Sequence, residues 1–166
     1  MKLKEEKHLV TVICTCYNQG DYVAQALNSV LEQTHRPIEL FIVDNGSTDH
    51  SRLEINLWLD ANAEKIPIKS FYHEKPMNYC KAFNQAFAKS KGCFLVDLAA
   101  DDFLDSRHLE LALAHLQQSN AKVYFSNALE HFPNGKVQSF YPTDKEGKAK
   151  VPIVEGDVFG TVIKRY

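Results

Sequence analysis

The feature that most constrains the fold of this chain is a repeated pattern between residues 9 and 118. An apolar segment is followed by a polar turn and then by a helix-like segment. The order occurs four times, and its apolar segments are residues 9–14, 40–43, 66–72 and 93–96. These segments are apolar rather than alternating, which is typical of parallel strands that are covered by helices on both faces. The sequence therefore predicts an α/β fold with a doubly wound, mainly parallel sheet.

Beyond residue 120 the pattern changes. Residues 122–132 and 137–141 are strand-like and flank Pro133-Asn134-Gly135, so we expect a C-terminal β-hairpin. Residues 143–150 are polar and rich in lysine, which predicts an exposed mobile loop. The last apolar segment has no closing element. We therefore expect one domain over residues 1–166 that is shortened on its C-terminal side, either as a truncated chain or as a natural fragment.

Composition narrows the classes of protein that this chain can belong to. Lys and Arg number 19 and Asp and Glu 21, giving a net charge of -2, whereas a nucleic-acid-binding protein normally carries a basic excess. No apolar stretch reaches the ~20 residues of a membrane span, and the N-terminus lacks a signal-peptide segment. The spacing of the cysteines fits no zinc site or redox pair, so we expect buried thiols in a reducing, cytoplasmic setting: Cys14, Cys16, Cys80 and Cys93. Oligomeric state is open.

Ligands of open parallel sheets bind beyond the carboxyl ends of the strands. Asp44 ends an apolar segment there, and its carboxylate suits a base N–H or a ribose hydroxyl as well as a local turn. Asp101 and Asp102 follow the fourth apolar segment and favour a Mg²⁺ or Mn²⁺ site over a simple helix start. No glycine-rich phosphate loop is present, which leaves Lys81 as a candidate phosphate contact or a solvated surface lysine.

Several motifs in this order resemble those of family 2 glycosyltransferases with the GT-A fold. They are T-C-Y-N followed by S-V-L-E-Q-T, then V-D-N-G-S-T-D, then A-F-N, and finally G-C-F-L-V-D-L-A-A-D-D. The resemblance covers nearly all of residues 9–118, and together these motifs are far more specific than any one of them.

The resemblance implies a metal-dependent, inverting transfer of a sugar from a UDP- or GDP-linked donor to a hydroxyl of a glycan or lipid-linked acceptor. Such a role is typical of bacterial cell-surface glycan synthesis, in the cytoplasm or at the membrane periphery. It also implies that Asp101 binds the metal. Other residues are carried over by the resemblance to the nucleotide-sugar site, and Lys81 is added because of its position. This set is Thr15, Cys16, Tyr17, Asn18, Asp44, Asn45, Lys81, Asn84 and Asp102.

The chain departs from the family pattern at particular positions. Ala99 replaces the first acid of the D-x-D motif, Asn45 replaces the second acid of D-D-G-S, and Phe83 stands where an arginine is usual. An inverting transfer needs a base that takes a proton from the attacking hydroxyl, and no acid in residues 143–166 matches the family's base motif.

These departures leave a second interpretation open, namely a catalytically incomplete nucleotide-binding remnant of the same fold. A receiver-type signalling domain fits less well, since it requires an acidic pair after the first strand, where this chain has Cys16-Tyr17-Asn18.

Overall fold

The computed structural model describes residues 8–119, 121–146 and 148–151. Contacts divide the chain into two compact units, Met1–Leu111 and Ala112–Tyr166. Within the described residues the strands are β1 (Val10–Cys16), β2 (Ile38–Asp44), β3 (Ile68–Tyr72), β4 (Phe94–Ala99), β5 (Leu129–His131) and β6 (Val137–Ser139). The helices are α1 (Gly20–Leu31), α2 (Ser51–Asn62), α3 (Tyr79–Phe87) and α4 (His108–Gln118).

In the first unit, the four strands β1 to β4 form a parallel sheet in the order β3-β2-β1-β4. Every residue of β1 and β2 is buried, as expected of central strands whose two faces are both covered. The direction of strand order reverses between β1 and β4, because β2 follows on one side of β1 and β4 lies on the other. This arrangement confirms the predicted α/β fold.

The register of the sheet determines which side chains share a face. Thr15 lies opposite Val43 and Ala99, whereas Cys16 lies opposite Asp44. The face of Val43 packs on α3, and the buried residues of this core are Ile13, Phe41, Val43, Ala82 and Ala86. On the other face α1 and α2 are joined by a hydrogen bond from Trp58 Nε1 to Asn28 Oδ1 at 2.8 Å. Helices thus cover both faces of the sheet.

The second unit contains the predicted hairpin, in which β5 and β6 pair antiparallel. Gly135 adopts a φ of 80° in the turn, a backbone conformation that favours glycine. In the segment predicted to be a mobile loop, Thr143 forms an antiparallel bridge with Ala149, and Asp144 N donates to Lys148 O at 2.9 Å. The single shortened domain and the mobility of residues 143–150 stay predictions.

The cysteines differ from expectation. Cys14 and Cys16 are buried in β1, and this burial raises the pKa of both thiols. Cys80 and Cys93 are exposed, so the prediction of four buried thiols is wrong for these two. Their apolar sequence neighbours suggested burial, but Cys80 lies on the outer face of α3 and Cys93 precedes β4.

Candidate functional site

The candidate site lies at the carboxyl end of the sheet, which we define as the ends of β1 to β4 and the loops that follow them. Four loops meet this definition: residues 17–19 after β1, 45–50 after β2, 73–78 after β3 and 100–107 after β4. In parallel sheets, side chains at these ends converge from different segments of the chain, and the point where strand order reverses leaves a crevice for a ligand.

Asp44 ends β2 and is fully buried, with 0% of its surface exposed. Its Oδ1 accepts from the Ser47 backbone N–H at 3.1 Å. Its Oδ2 accepts from Arg52 Nε at 3.0 Å and lies 3.0 Å from Arg52 Nη2. Arg52 Nη2 also donates to the carbonyl of His73 at 2.8 Å, so the guanidinium joins the ends of β2 and β3. A buried carboxylate requires such a partner, because an uncompensated charge in the interior is costly.

Asn45 fastens the loop after β3. Its Nδ2 donates to the Met77 carbonyl at 2.9 Å, and its Oδ1 accepts from the Met77 N–H at 3.1 Å. An ionised carboxylate accepts hydrogen bonds but cannot donate to the Met77 carbonyl, which gives a structural reason for an asparagine in place of the acid expected here. The contact places Asn45 as a support of the loop, and its predicted contact with a nucleotide stays a prediction.

The loop after β2 also holds the loop after β1. Asn18 N donates to Ser47 Oγ at 3.0 Å, and Asn18 Oδ1 accepts from Thr48 N at 2.8 Å. Asn18 has a φ of 54°, a left-handed conformation that asparagine tolerates better than most residues. The side chain of Asn18 therefore stabilises the turn that leads into α1.

The first turn of α1 receives its hydrogen-bond partners from the same loop. Gly20 N donates to Asp49 Oδ2 at 3.0 Å, and Gln19 N donates to Ser51 Oγ at 2.9 Å. Burial acts to raise the pKa of Asp49, but the hydrogen bonds from Ser51 and Gly20 outweigh it and hold the pKa below its usual value. A cap supplied from another segment thus satisfies N–H groups that would otherwise lack a partner at the helix start.

Thr15 and Cys16, predicted to line a base pocket, are almost completely buried. The Thr15 carbonyl accepts from Ala100 N at 2.9 Å, and the Cys16 carbonyl accepts from Asn45 N at 2.8 Å. These residues join the loops after β4 and β2 to β1. Tyr17, the next residue, has 48% of its surface exposed and presents an aromatic ring at the carboxyl end.

Asp101 and Asp102 lie in the exposed loop after β4. Burial raises the pKa of Asp102, and the neighbouring charge of Asp101 raises it further. Negative charge is therefore concentrated where β4 ends. Carboxylate oxygens of this kind suit Mg²⁺ or Mn²⁺, which take their remaining ligands from water and phosphate. In the part of the chain that the structure describes, no group of three or more His, Cys, Asp or Glu side chains is placed to hold a metal ion.

The other predicted residues lie on α3, which begins at the carboxyl end and runs back along the sheet. Lys81 is exposed in the first turn, and Asn84 is exposed one turn further on. Between α3 and β4, Tyr79 Oη donates to Asp97 Oδ1 at 2.5 Å. Burial and this hydrogen bond raise the pKa of Tyr79 to about 12.

Sequence reasoning did not identify Arg52, Asp49 or Tyr79 as parts of this region. Arg52 could have been found from its position, because the first turn of a helix that follows a strand closely lies near the end of that strand. A basic residue there can pair with an acid such as Asp44. His73 was also missed; its Nε2 is buried and has no hydrogen-bond partner among the described residues.

Comparisons with known proteins agree with this geometry. Residues 11–155 match the family described as Glycosyl transferase family 2. An uncharacterized glycosyltransferase of Nostoc sp. is 38% identical over 67% of this chain and 34% of its own length. The crystal structure of Staphylococcus aureus TarS 1-349 in complex with UDP-GlcNAc has a TM-score of 0.58 and 27% identity, covering 66% of this chain and 31% of that chain.

The mannosyltransferase PcManGT of Pyrobaculum calidifontis, solved with GDP-Man and Mn²⁺, shares the fold with a TM-score of 0.55 and 24% identity, over 59% of this chain and 29% of that chain. The chain spans about a third of the length of each of these proteins. None of the described helices is both long and apolar enough to cross a membrane. By sequence motifs, sheet topology and these matches, the chain belongs to glycosyltransferase family 2 and has the GT-A fold.

Proposed function

We propose that this chain forms the donor-binding portion of a glycosyltransferase that moves a sugar from a UDP- or GDP-linked donor to a hydroxyl acceptor. The observation that carries the proposal is the meeting of two loops where strand order reverses. The loop after β1 presents exposed Tyr17 there, and the loop after β4 presents exposed Asp101 and Asp102. This crevice is where open α/β sheets bind nucleotides.

The residues of the crevice suit a nucleoside diphosphate. An exposed aromatic ring such as Tyr17 offers a surface on which a base can stack. Asp44 and the buried segment of Thr15 and Cys16 provide a rigid floor, and Lys81 at the start of α3 offers a positive charge to the diphosphate. The UDP-GlcNAc bound to TarS and the GDP-Man bound to PcManGT support uracil and guanine as the candidate bases.

The proposal includes Mn²⁺ or Mg²⁺, held by Asp101 and supported by the adjacent Asp102. Such an ion neutralises the charge that develops on the departing diphosphate. Two neighbouring exposed carboxylates fit a hard cation that also binds phosphate oxygens. The Mn²⁺ in the PcManGT structure supports this part of the proposal.

The proposed transfer proceeds with inversion, and its acceptor is a glycan or a lipid-linked molecule. The proposed role is the synthesis of cell-surface glycans, in the cytoplasm or at the periphery of the membrane. Inversion requires a base that accepts the proton of the acceptor hydroxyl. We assign no residue of this chain to that role.

A second function is favoured by Ala99. This residue cannot supply the carboxylate of the first D-x-D position, and Asp97, two residues earlier on the same face of β4, is hydrogen-bonded to Tyr79. A nucleotide-binding protein without transfer activity would retain the crevice and lose only the reaction. Sugar release from a bound donor distinguishes the two functions.

The test is calorimetric titration of UDP and GDP into the chain, with Mn²⁺ and with a chelator. We expect binding of at least one nucleotide that needs Mn²⁺ and is lost in Asp101→Ala. Asp60→Ala, which removes an exposed acid of α2 outside the carboxyl end, is the matched control and should bind as the wild type does. Failure of both nucleotides to bind under any condition would exclude the proposed function.

A further inference from the structure

The pairing of Asp44 with Arg52 contains more hydrogen-bonding capacity than the fold uses. Arg52 Nε and Nη2 both face Asp44 Oδ2, and Nη2 also donates to the His73 carbonyl. Arg52 Nη1 has no hydrogen-bond partner among the described residues. The Arg52 side chain is 39% exposed, whereas the Asp44 side chain beneath it is 0% exposed. The guanidinium therefore covers the carboxylate and keeps donors of its own.

Asp44 also has unused acceptor capacity. In the described part of the chain its Oδ1 accepts one hydrogen bond, from Ser47 N. A carboxylate oxygen can accept two. One ion pair at the end of β2 thus holds an unused acceptor position on Asp44 and an unused donor on Arg52, and a ligand reaches the acceptor when the exposed Arg52 side chain turns aside.

A base edge that complements this pair carries a ring N–H beside a carbonyl oxygen. Uracil and guanine have such an edge, because their N3–H and N1–H respectively lie next to an exocyclic oxygen. Cytosine and adenine have the reverse order, since an unprotonated ring nitrogen lies next to an amino group. Against a carboxylate, that ring nitrogen would place two acceptors together.

We propose that Arg52 is a specificity-determining residue of the nucleotide site, which with Asp44 selects uracil or guanine over cytosine or adenine. The inference rests on the proposed function. When a nucleotide binds, the base N–H donates to Asp44 in place of an Arg52 N–H, and Arg52 Nη1 donates to the base carbonyl. The His73 carbonyl at 2.8 Å and the Tyr72 ring at 5.2 Å from Arg52 Cζ keep the guanidinium beside its new partner.

A purely structural role makes a different prediction. If Arg52 only joins the ends of β2 and β3, its replacement lowers stability and leaves the choice of base unchanged. Base preference, measured as a ratio of dissociation constants within one protein, separates the two roles because a general loss of stability affects both nucleotides of a pair equally.

The experiment titrates UDP against CDP, and GDP against ADP, into the full chain with Mn²⁺. The members of each pair differ at the base edge in question. We expect the wild type to bind the first member of at least one pair about tenfold or more tightly, the discrimination typical of a two-point contact to a base edge. In Arg52→Lys, which keeps a positive charge beside Asp44 but loses the planar fork, the ratio should fall to about threefold or less.

Two further variants complete the design. Arg52→Gln retains an amide donor without charge and should lower the ratio in the same direction. Arg36→Lys is the matched control, because Arg36 also donates to backbone carbonyls, those of Leu31, Gln33 and His35, but at the opposite end of the sheet. Its ratio should equal that of the wild type. Thermal unfolding of each variant reports whether the fold is retained.

Two results overturn the inference while the proposed function stands. One is binding of all four nucleotides without preference, and the other is a preference that neither Arg52 variant changes. Absence of any nucleotide binding by the wild type would overturn the proposed function and the inference together.

Discussion

The β2 side and the β4 side of the carboxyl end are built in different ways. On the β2 side, residues 44–51 are hydrogen-bonded to the loops after β1 and β3. Asp44 is buried there under Arg52. On the β4 side, Asp101 and Asp102 are exposed. The β2 side is held mainly by hydrogen bonds within the chain, whereas the β4 side offers charge to solvent. The two sides therefore differ in how much of their polar capacity the fold itself uses.

The largest effect that follows from this comparison is a loss of stability in Asp44→Ala. The substitution leaves Arg52 without its partner and Ser47 N without an acceptor. Because Arg52 is partly exposed, we expect a loss of about 2–3 kcal/mol in the free energy of unfolding, at the lower limit for a broken buried ion pair. Urea unfolding measures it.

Asp101→Ala is the control on the β4 side and should change the free energy of unfolding by no more than about 0.5 kcal/mol, as exposed substitutions usually do. Equal destabilisation by the two variants would contradict the difference between a hydrogen-bonded β2 side and an exposed β4 side.

A smaller effect tests how closely the loops after β2 and β3 approach each other. Gly46 and Gly135 have nearly equal φ values, 79° and 80°. A Cβ on Gly46 would lie 2.5 Å from the Lys75 carbonyl carbon and from Pro76 N, whereas a Cβ on Gly135 would meet nothing within 4 Å. Gly135→Ala should cost about 1 kcal/mol, for the left-handed backbone alone. Gly46→Ala should cost about 1 kcal/mol more, the lower end of the cost of overpacking, because the two loops must also move apart.

Thermal unfolding of the two glycine variants, each compared with the wild type, gives the difference. Equal costs would show that the loops after β2 and β3 are free to separate, and the β2 side would then be no more rigid than the β4 side.

The smallest effect concerns Tyr79, which links α3 to β4 through Asp97. The pKa of Tyr79 in the folded chain, about 12, lies above its usual value of 10.0. Its contribution to stability is therefore complete below pH 10 and is lost as the pH rises toward 12, since the unfolded chain releases this proton first. In Tyr79→Phe, the phenolate absorbance that develops last in an alkaline titration should be missing.

Asp97→Asn keeps an acceptor for Tyr79 but removes the charge, so the pKa of Tyr79 should fall toward its usual value. Loss of an early-titrating tyrosine in Tyr79→Phe would contradict the hydrogen bond to Asp97 and leave the β4 side without this link to α3.

Local patterns were sufficient to predict the elements of the fold. The apolar segments ending at Cys14 and Val43 predicted β1 and β2, and Pro133-Asn134-Gly135 predicted the turn between β5 and β6. The strand ends were placed less well, because β1 and β2 continue to Cys16 and Asp44, beyond the uniformly apolar residues.

The contacts of the site were predicted less well, because they join residues far apart in sequence. The start of α1 is held by Asp49, 29 residues from Gly20, and no local pattern indicates this partner. The contact of Asn45 with a nucleotide stays a prediction, whereas its observed partner in the chain, Met77, 32 residues away, was not predicted. Local composition contains no information on which distant backbone group will meet a polar side chain. The sequence therefore indicated which loops follow the strands, but not the hydrogen-bond partners within those loops.

The hydrogen bonds of the loop after β2 have a consequence for protein engineering. Side chains of residues 44–51 form hydrogen bonds with the loops after β1 and β3. An insertion within residues 44–51 would therefore displace the starts of α1 and α3 together. The loop after β4 is also held, because Leu104 N donates to Ser29 Oγ and the Ser106 carbonyl accepts from Thr34 N, but the Asp101 and Asp102 side chains are exposed. Libraries that seek an altered ligand preference should therefore vary the side chains at positions 101 and 102 and keep the lengths of both loops constant.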